Sequence, residues 1–582
     1  MELKPSYKRR VSATSYRPTL FGRQFGIATG HYLASLAASR ILDAGGNAID
    51  AGVAASMALA VLQPDIVSFA GVAPTLIYHA KSDQLVSLAG LGWWPAATDV
   101  HRLRAVGGKC VPEGVLRQVL PAAPATHIEA LKRFGTISFA KAAQPALELA
   151  RDGFAVFPLL AASLSGDAAS YARWPSSAAI FLPGGTAPQV GDRFVQCDLA
   201  RSIAGMIDAE QAAARRGRSA GLQAAHDYFY KGPIARQIAS FHAQEGGFMT
   251  ADDLSRFEVP VEAPISTTFG GYQIHMGDVW CQGVSLLQAF NILEQAQIGP
   301  MAHNSAEYLH LVLESFNLAF ADREAYVGDP RFVKVPTTGL LSKAYARGQA
   351  SRIERSRAFG RMPLPGRPDA TVAPWIADSA PVREAAPARD TIYCAVMDAE
   401  GNAYSATLSD TSHDVPVIPG TGLVISSRGS QSRLDPGHPA EVQPGKRPRL
   451  TPAPALAMSE GRPFMAFGTP GGDVQMQAML QVFLNATHFG MPLQRAIEEP
   501  RAWSVNFPSS FVPHAYVPGG VCAEGNLPAE TLARLRDMGH SVDVWPVLPP
   551  PGGGVCAVMR DAQTGMLQAG ADPRRECYAL AW

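Results

Sequence analysis

Several features that mark other classes of protein are scarce or missing in this 582-residue chain. It has seven cysteines, at 110, 197, 281, 394, 522, 556 and 577, odd in number and far apart, so neither a paired metal motif nor a disulfide-dense scaffold is encoded. There is no surplus of charge: 50 Lys and Arg balance 50 Asp and Glu. That balance, with no basic aromatic stripe, argues against nucleic acid as a partner. The longest strongly apolar run, Ala51 to Leu62, has 12 residues, well short of the ~20 needed to cross a bilayer as a helix. Behind Lys8, Arg9 and Arg10 the segment Ser12 to Gly22 is mixed and polar, so the apolar middle of a secretory signal is missing. These absences favour a reduced, cytoplasmic protein with no membrane partner. The paired glycines at 45–46, 246–247 and 471–472 and the triplet at 552–554 lack the spacing and the lysine of phosphate-binding loops, and no zinc signature accompanies them.

What is present suits a large layered core. Hydrophobic residues make up 47% of the chain and charged residues 17%, while 54 Gly and 46 Pro imply many turns and close backbone approaches. Helical patterns run over 31–42, 48–62, 126–134, 139–151, 198–215 and 234–245, with Gly45-Gly46-Asn47 separating the first two. Strand-like runs cover 74–79, 273–276, 391–397 and 403–408, the last two joined by the turn-forming Asp398-Ala-Glu-Gly-Asn402. A further strand, 463–467, leads through Gly468-Thr-Pro-Gly-Gly472 into a helix over 474–487. Strands interleaved with helices predict an α/β architecture. The proline-rich run 548–554 reads as a rigid turn or a wall of a site.

Between Ser351 and Ala388 periodicity disappears, and an exposed, mobile loop is expected to run directly into Asp390-Thr391 and a strand. A threonine opening a strand is ordinarily a strand residue and nothing more. At such a junction it has a second use: once the preceding peptide bond is broken, its α-amine can serve as the base for its own hydroxyl, so no histidine is required. The histidines in this region, His413 and His438, pair with no obvious acid and serine.

The chain resembles the gamma-glutamyltransferase family of self-cleaving N-terminal nucleophile hydrolases over residues 26 to 582. The resemblance rests on Gly45-Gly-Asn-Ala-Ile-Asp50, Gly246-Gly-Phe-Met-Thr250, Ala321-Asp-Arg-Glu-Ala-Tyr-Val-Gly-Asp-Pro330, Thr391-Ile-Tyr-Cys-Ala-Val-Met-Asp398, Lys446-Arg-Pro448, Gly468-Thr-Pro-Gly-Gly472 and Gly570-Ala-Asp-Pro-Arg574. It implies a four-layer αββα fold and cleavage into residues 1–390 and 391–582, two chains forming one intertwined unit. It also implies Thr391 as nucleophile, Ser409 as the supporting hydroxyl, and Gly471 and Gly472 as backbone donors to an oxyanion. No metal or organic cofactor is called for, the partner is a small-molecule amide, and a dimer of heterodimers is admitted.

Departures from the family pattern bear on the substrate. Ile392 and Tyr393 replace a Thr and a His; the family arginine that clamps a glutamyl carboxylate falls near Leu91; the aspartate that holds its amine falls near Ser430; an asparagine becomes Thr411; and two serines become Leu450 and Thr451. A zwitterion left without these partners binds poorly. Arg428 or Arg433 is the candidate for a displaced carboxylate clamp, and Trp93 with Trp94 for an apolar wall. The short segment between Pro439 and Lys446 predicts a more open pocket than in lid-bearing members. The reading is therefore a threonine-nucleophile amidohydrolase or acylase. The alternatives are a gamma-glutamyl hydrolase or transferase with a rearranged clamp, and an unprocessed binding protein.

Overall fold

The strand Thr391–Asp398 is buried along its whole length, and the alternation of its side chains explains the layering. Ile392, Cys394 and Val396 enter a core beneath helices, whereas Tyr393, Ala395 and Met397 enter a second core between two sheets. In the computed structural model, which describes residues 15–376, 391–561 and 563–582, each sheet has seven strands. The first runs Tyr578–Ala581, Phe25–Thr29, Thr391–Asp398, Ala403–Ser409, Thr75–His79, Gln84–Leu88, Val261–Glu262. The second runs Leu20–Gly22, Leu567–Ala571, Cys556–Arg560, Arg462–Gly468, Ala455–Ser459, Tyr272–Met276, Ile265–Phe269. Both combine strands from either side of Thr391. The chain passes between sheets at both rims through two-residue links, Arg23-Gln24 on one side and Ala263-Pro264 on the other.

Helices cover the outer faces and complete the αββα sandwich. Ala48–Leu62 lies on the first sheet with every residue buried, and its start is fixed by a capping box. The Asn47 side chain accepts from the N–H groups of Ile49 and Asp50, while the Asp50 carboxylate accepts from Asn47 N–H. On the second sheet Gly283–Ala296 and Val474–Thr487 cover the core that contains Ala455, Ala457, Met465 and Phe467, and Ala306–Tyr326 packs on Gly283–Ala296.

Predicted and observed elements agree closely for Ala48–Leu62 and Val474–Thr487, and within a few residues elsewhere. The long helix Ala306–Tyr326 is absent from the sequence reading because it is buried on all sides and carries charged residues inward, so no amphipathic period marks it. The segment after Ser351 also differs from expectation. As far as residue 376 it is largely exposed, yet it is pinned by hydrogen bonds from Ala358 N–H to the Met538 carbonyl, Gly366 N–H to Asp322 and Trp375 N–H to the Ala325 carbonyl. Residues 377–390, including Asp390, lie outside the described residues.

Close approach of the sheets near Thr391 depends on Gly468, where an added Cβ would lie 2.3 Å from the Tyr393 ring. Gly468→Ala is expected to destabilise the protein by about 1–3 kcal/mol through overpacking, read as a lower urea midpoint with the m-value unchanged.

Candidate active site

Antiparallel pairing without a bulge sets Thr391 directly opposite Ser409, with their hydroxyl oxygens 2.8 Å apart and both residues fully buried. The turn that sets this register is held by Asp398, whose carboxylate accepts from Asn402 N–H and the Asn402 side-chain amide, each at 2.9 Å. The short turn Arg428–Gln431 brings Arg428 to the same place: its Nη2 donates to Ser409 Oγ at 2.5 Å. A guanidinium has only donors, so Ser409 accepts there and keeps its own proton for another partner. Thr391, Ser409 and Arg428 thus form a continuous polar line.

Asp410 lies behind that line. Its Oδ1 stands 3.4 Å from Arg428 Nε and accepts from Ser427 N–H and Oγ. Burial pushes the Asp410 carboxyl up to about 6, against the opposing pull of Arg428 and the hydrogen bonds from Ser426 and Ser427.

The strand Arg462–Gly468 delivers the chain to the helix Val474–Thr487 through Gly471 and Gly472, at φ 117° and 57°. Both lie in the region that glycine tolerates best. Among the described residues neither of their N–H groups has an intramolecular acceptor. Gln282 braces this loop: its Nε2 donates to the carbonyls of Gly472 (2.9 Å) and Thr451 (3.0 Å). Its Oε1 accepts from Arg323 Nη1 at 3.0 Å. Thr451 is held in turn by Gln431, which donates to its hydroxyl at 2.7 Å and accepts from its N–H at 3.2 Å. The proline-rich turn abuts the same loop, with Gly554 N–H on Thr469 Oγ1 at 2.8 Å.

Arg323 belongs to a buried ionic cluster centred on Glu324, which also accepts from Arg449 at 2.6 Å and Arg433 at 2.8 Å. Asp473, next to the glycine pair, pairs with Arg323 and accepts from Ser510. Burial pushes the Glu324 carboxyl up, but Arg449, Arg433, a hydrogen bond from His438 and Arg323 together hold it well below the usual carboxylate range. Burial lowers the His438 imidazole to about 3, so it sits there neutral.

The other candidate residues distribute unevenly. Thr411 lies in the site's floor, donating to Asp414 at 2.8 Å beside Ser427, and Asp414 is paired with Arg117. Ser430 is buried in the Arg428 turn, where its carbonyl accepts from Val512 N–H. Arg433 is engaged by Glu324, not set beside Ser409 as Arg428 is. Among the described residues neither Trp93 nor Trp94 lines the apolar recess beside the glycine loop. Trp94 is fully buried under the turn, packed against Gly429 with Nε1 on Ser432 Oγ at 3.0 Å, and Trp93 packs on Phe257 and Arg331. Leu91 and Leu450 are core residues, and His413 stands 3.8 Å from Asp167. An apolar recess of about 190 Å³ adjoins the glycine loop, lined by Gly471, Trp503, Phe507, Val517, Trp545 and Pro551 among others.

The model of the gamma-glutamyltranspeptidase family matches residues 34–582. The chain belongs to this family. Among its relatives, the Glutathione hydrolase-like YwrD proenzyme of Bacillus subtilis (strain 168) is 32% identical, over 97% of this chain and 99% of its own. The Acylase ACY 1 proenzyme of Pseudomonas sp. (strain SE83) is 34% identical over 82% of each chain. The crystal structure of cephalosporin acylase from Bacillus halodurans superposes with a TM-score of 0.84 at 28% identity, covering 98% of this chain and 97% of that one. The protein is therefore an enzyme of the N-terminal nucleophile class, a self-processed zymogen of the amidohydrolase and acylase type. No described helix is long and apolar enough to cross a membrane.

Sequence reasoning missed Gln282, Arg323, Glu324, Asp410 and Gln431. Arg323 and Glu324 stood inside a quoted family motif without a role; the others gave no local signal, because each acts on a partner distant in sequence.

Asp410 carries a pH signature. Its folded pKa of about 6 exceeds the ordinary carboxylate value of 3.8. The folded state therefore binds the extra proton between these values, and this residue's contribution to stability falls as pH rises through that window. Asp410→Asn is expected to remove that decline, seen as a difference from the parent protein in denaturant unfolding between pH 4 and 6.

Proposed function

We propose that the protein cleaves its own Asp390–Thr391 bond, giving chains 1–390 and 391–582, and then hydrolyses small amides whose acyl portion carries a carboxylate. The observation that carries this reading is the line Arg428–Ser409–Thr391, which sets a fixed cation one hydroxyl away from the proposed nucleophile.

In this mechanism Thr391 Oγ attacks the amide carbonyl while the freed α-amine of Thr391 takes its proton. Ser409, polarised by Arg428, donates to Thr391 and orients it. Negative charge developing on the carbonyl oxygen meets the N–H groups of Gly471 and Gly472, a contribution of about 3 kcal/mol per donor in comparable sites. The protonated α-amine returns its proton to the departing amine, and water, activated by the same amine, resolves the acyl ester. Gln282 and Gln431 act indirectly, fixing the loop and Thr451.

The choice of acyl group follows from charge. The family resemblance puts the carboxylate-clamping arginine near Leu91, a buried aliphatic residue, and the amine-binding aspartate near Ser430. A carboxylate finds Arg428, whereas the α-amine of a gamma-glutamyl zwitterion loses its family partner. The names of two relatives, Acylase ACY 1 and cephalosporin acylase, agree with an acyl substrate other than the gamma-glutamyl zwitterion. The name of the Bacillus subtilis relative keeps gamma-glutamyl hydrolysis as the competing reading, and an amide panel that includes glutathione separates the two.

Intact-mass measurement of the incubated protein is expected to give fragments meeting at Asp390 and Thr391. Thr391→Ala is expected to remain full length and inactive; cleavage at the same bond in that variant contradicts the assignment. Arg428→Met is expected to lower kcat/KM for carboxylate-bearing amides roughly 10- to 100-fold more than for neutral amides of the same size, as loss of a charge-assisted hydrogen bond predicts. Equal losses on both substrates would remove the clamp.

A further inference from the structure

Outside the candidate active site, His310 and Glu314, one turn apart on the helix Ala306–Tyr326, meet His540 from the turn before the strand Ser541–Trp545. All three are buried, and one ligand atom from each lies within 4.8 Å of the others. Nothing in the amide chemistry uses them.

The hydrogen bonds fix how these groups are oriented. His310 Nε2 lies 2.8 Å from the Glu354 carbonyl oxygen, which can only accept, so Nε2 carries the proton and Nδ1 presents a lone pair. That lone pair faces His540 Nε2 at 2.8 Å. A backbone carbonyl holding the far nitrogen of an imidazole is the usual outer support of a metal-binding histidine. The Glu314 carboxylate is the second observation. Both its oxygens are buried without a hydrogen bond of good geometry, although the Asn317 side chain and Phe359 backbone N–H stand near, and Oε1 lies 3.8 Å from His540 Nδ1. A buried carboxylate in that condition is costly unless something positive or a proton completes it.

The geometry points to a divalent transition-metal site, with His310 Nδ1, a ring nitrogen of His540 and a Glu314 oxygen as ligands and water completing the shell. Two imidazoles and one carboxylate suit Zn²⁺ rather than the all-oxygen shells of Mg²⁺ or Ca²⁺. With metal–nitrogen bonds of about 2.0–2.1 Å at a tetrahedral angle, two ligand atoms stand about 3.4 Å apart. The two imidazoles need to separate by only about half an ångström. If the ion takes His540 Nε2, the proton there leaves to solvent and the ring's other nitrogen keeps or gains one, so the ring stays neutral. The ion would join a helix upstream of Thr391 to a turn downstream of it, clamping together the two chains that cleavage creates.

Titration of the purified protein with Zn²⁺ against a chromophoric chelator tests this. One equivalent is expected to bind with a Kd below 1 μM on the order of structural sites, with a raised melting temperature. Glu314→Gln is expected to weaken binding at least about tenfold, and His310→Gln/His540→Gln to abolish it, in variants whose circular dichroism matches the parent. The first measurement needs no variant. Absence of a stoichiometric site in the parent protein, or binding unchanged in the double variant, overturns the proposal.

Discussion

Everything at the candidate site depends on one strand pairing, that of Thr391–Asp398 with Ala403–Ser409 at the centre of the first sheet. A slip of one residue would turn every side chain to the opposite face. It would carry Thr391 out of the inner layer and away from Ser409. The register is guarded at the turn by the Asp398–Asn402 hydrogen bonds and along the strand by two unlike cores. Ile392 on one face is matched so closely to Gly30, and Tyr393 on the other to Gly468, that neither glycine has room for a Cβ. Packing specificity and the geometry of the candidate site are here the same constraint.

Around that fixed pair the protein buries several charged side chains, among them Arg117, Arg323, Glu324, Asp410, Asp414 and Arg428. Breaking a buried pair by removing one partner is costly even where the intact pair contributes little net stability. The Glu324 cluster, the Asp410–Arg428 contact and the Arg117–Asp414 pair are therefore best understood as positioning devices. Each fixes a loop that has no regular hydrogen-bond ladder to rely on: the glycine loop through Arg323 and Gln282, the Arg428 turn through Asp410, and the Thr411 segment through Asp414.

Much of the fold was legible in the sequence because local signals agreed with the final structure. The apolar run behind the Gly45-Gly46-Asn47 stop announced the helix Ala48–Leu62, and Asp398-Ala-Glu-Gly-Asn402 announced the hairpin. Ala306–Tyr326 gave no such signal, since a helix with Arg323 and Glu324 turned inward has no polar face to betray its period. At the site, Thr391, Ser409 and the glycine pair came from a family resemblance, and Arg428 from its charge in a suggestive segment. The tryptophans at 93 and 94 could not be placed by composition: an indole supporting a turn from beneath and one lining a pocket look alike in sequence. Gln282 and Gln431 were invisible for a different reason, because an amide becomes a brace only when tertiary folding sets distant carbonyls or hydroxyls on either side of it.

The two short links at the rims limit how such a molecule can change shape. Arg23-Gln24 and Ala263-Pro264 stitch the sheets together along opposite margins, so the layers can neither splay like a book nor shear past each other without stretching covalent chain. Any breathing that admits a substrate is confined to the ends of the strands, where loops can lengthen, shorten or swap side chains while the sandwich stays unaltered. A change of acyl preference on such a backbone is then a matter of mouth rather than body.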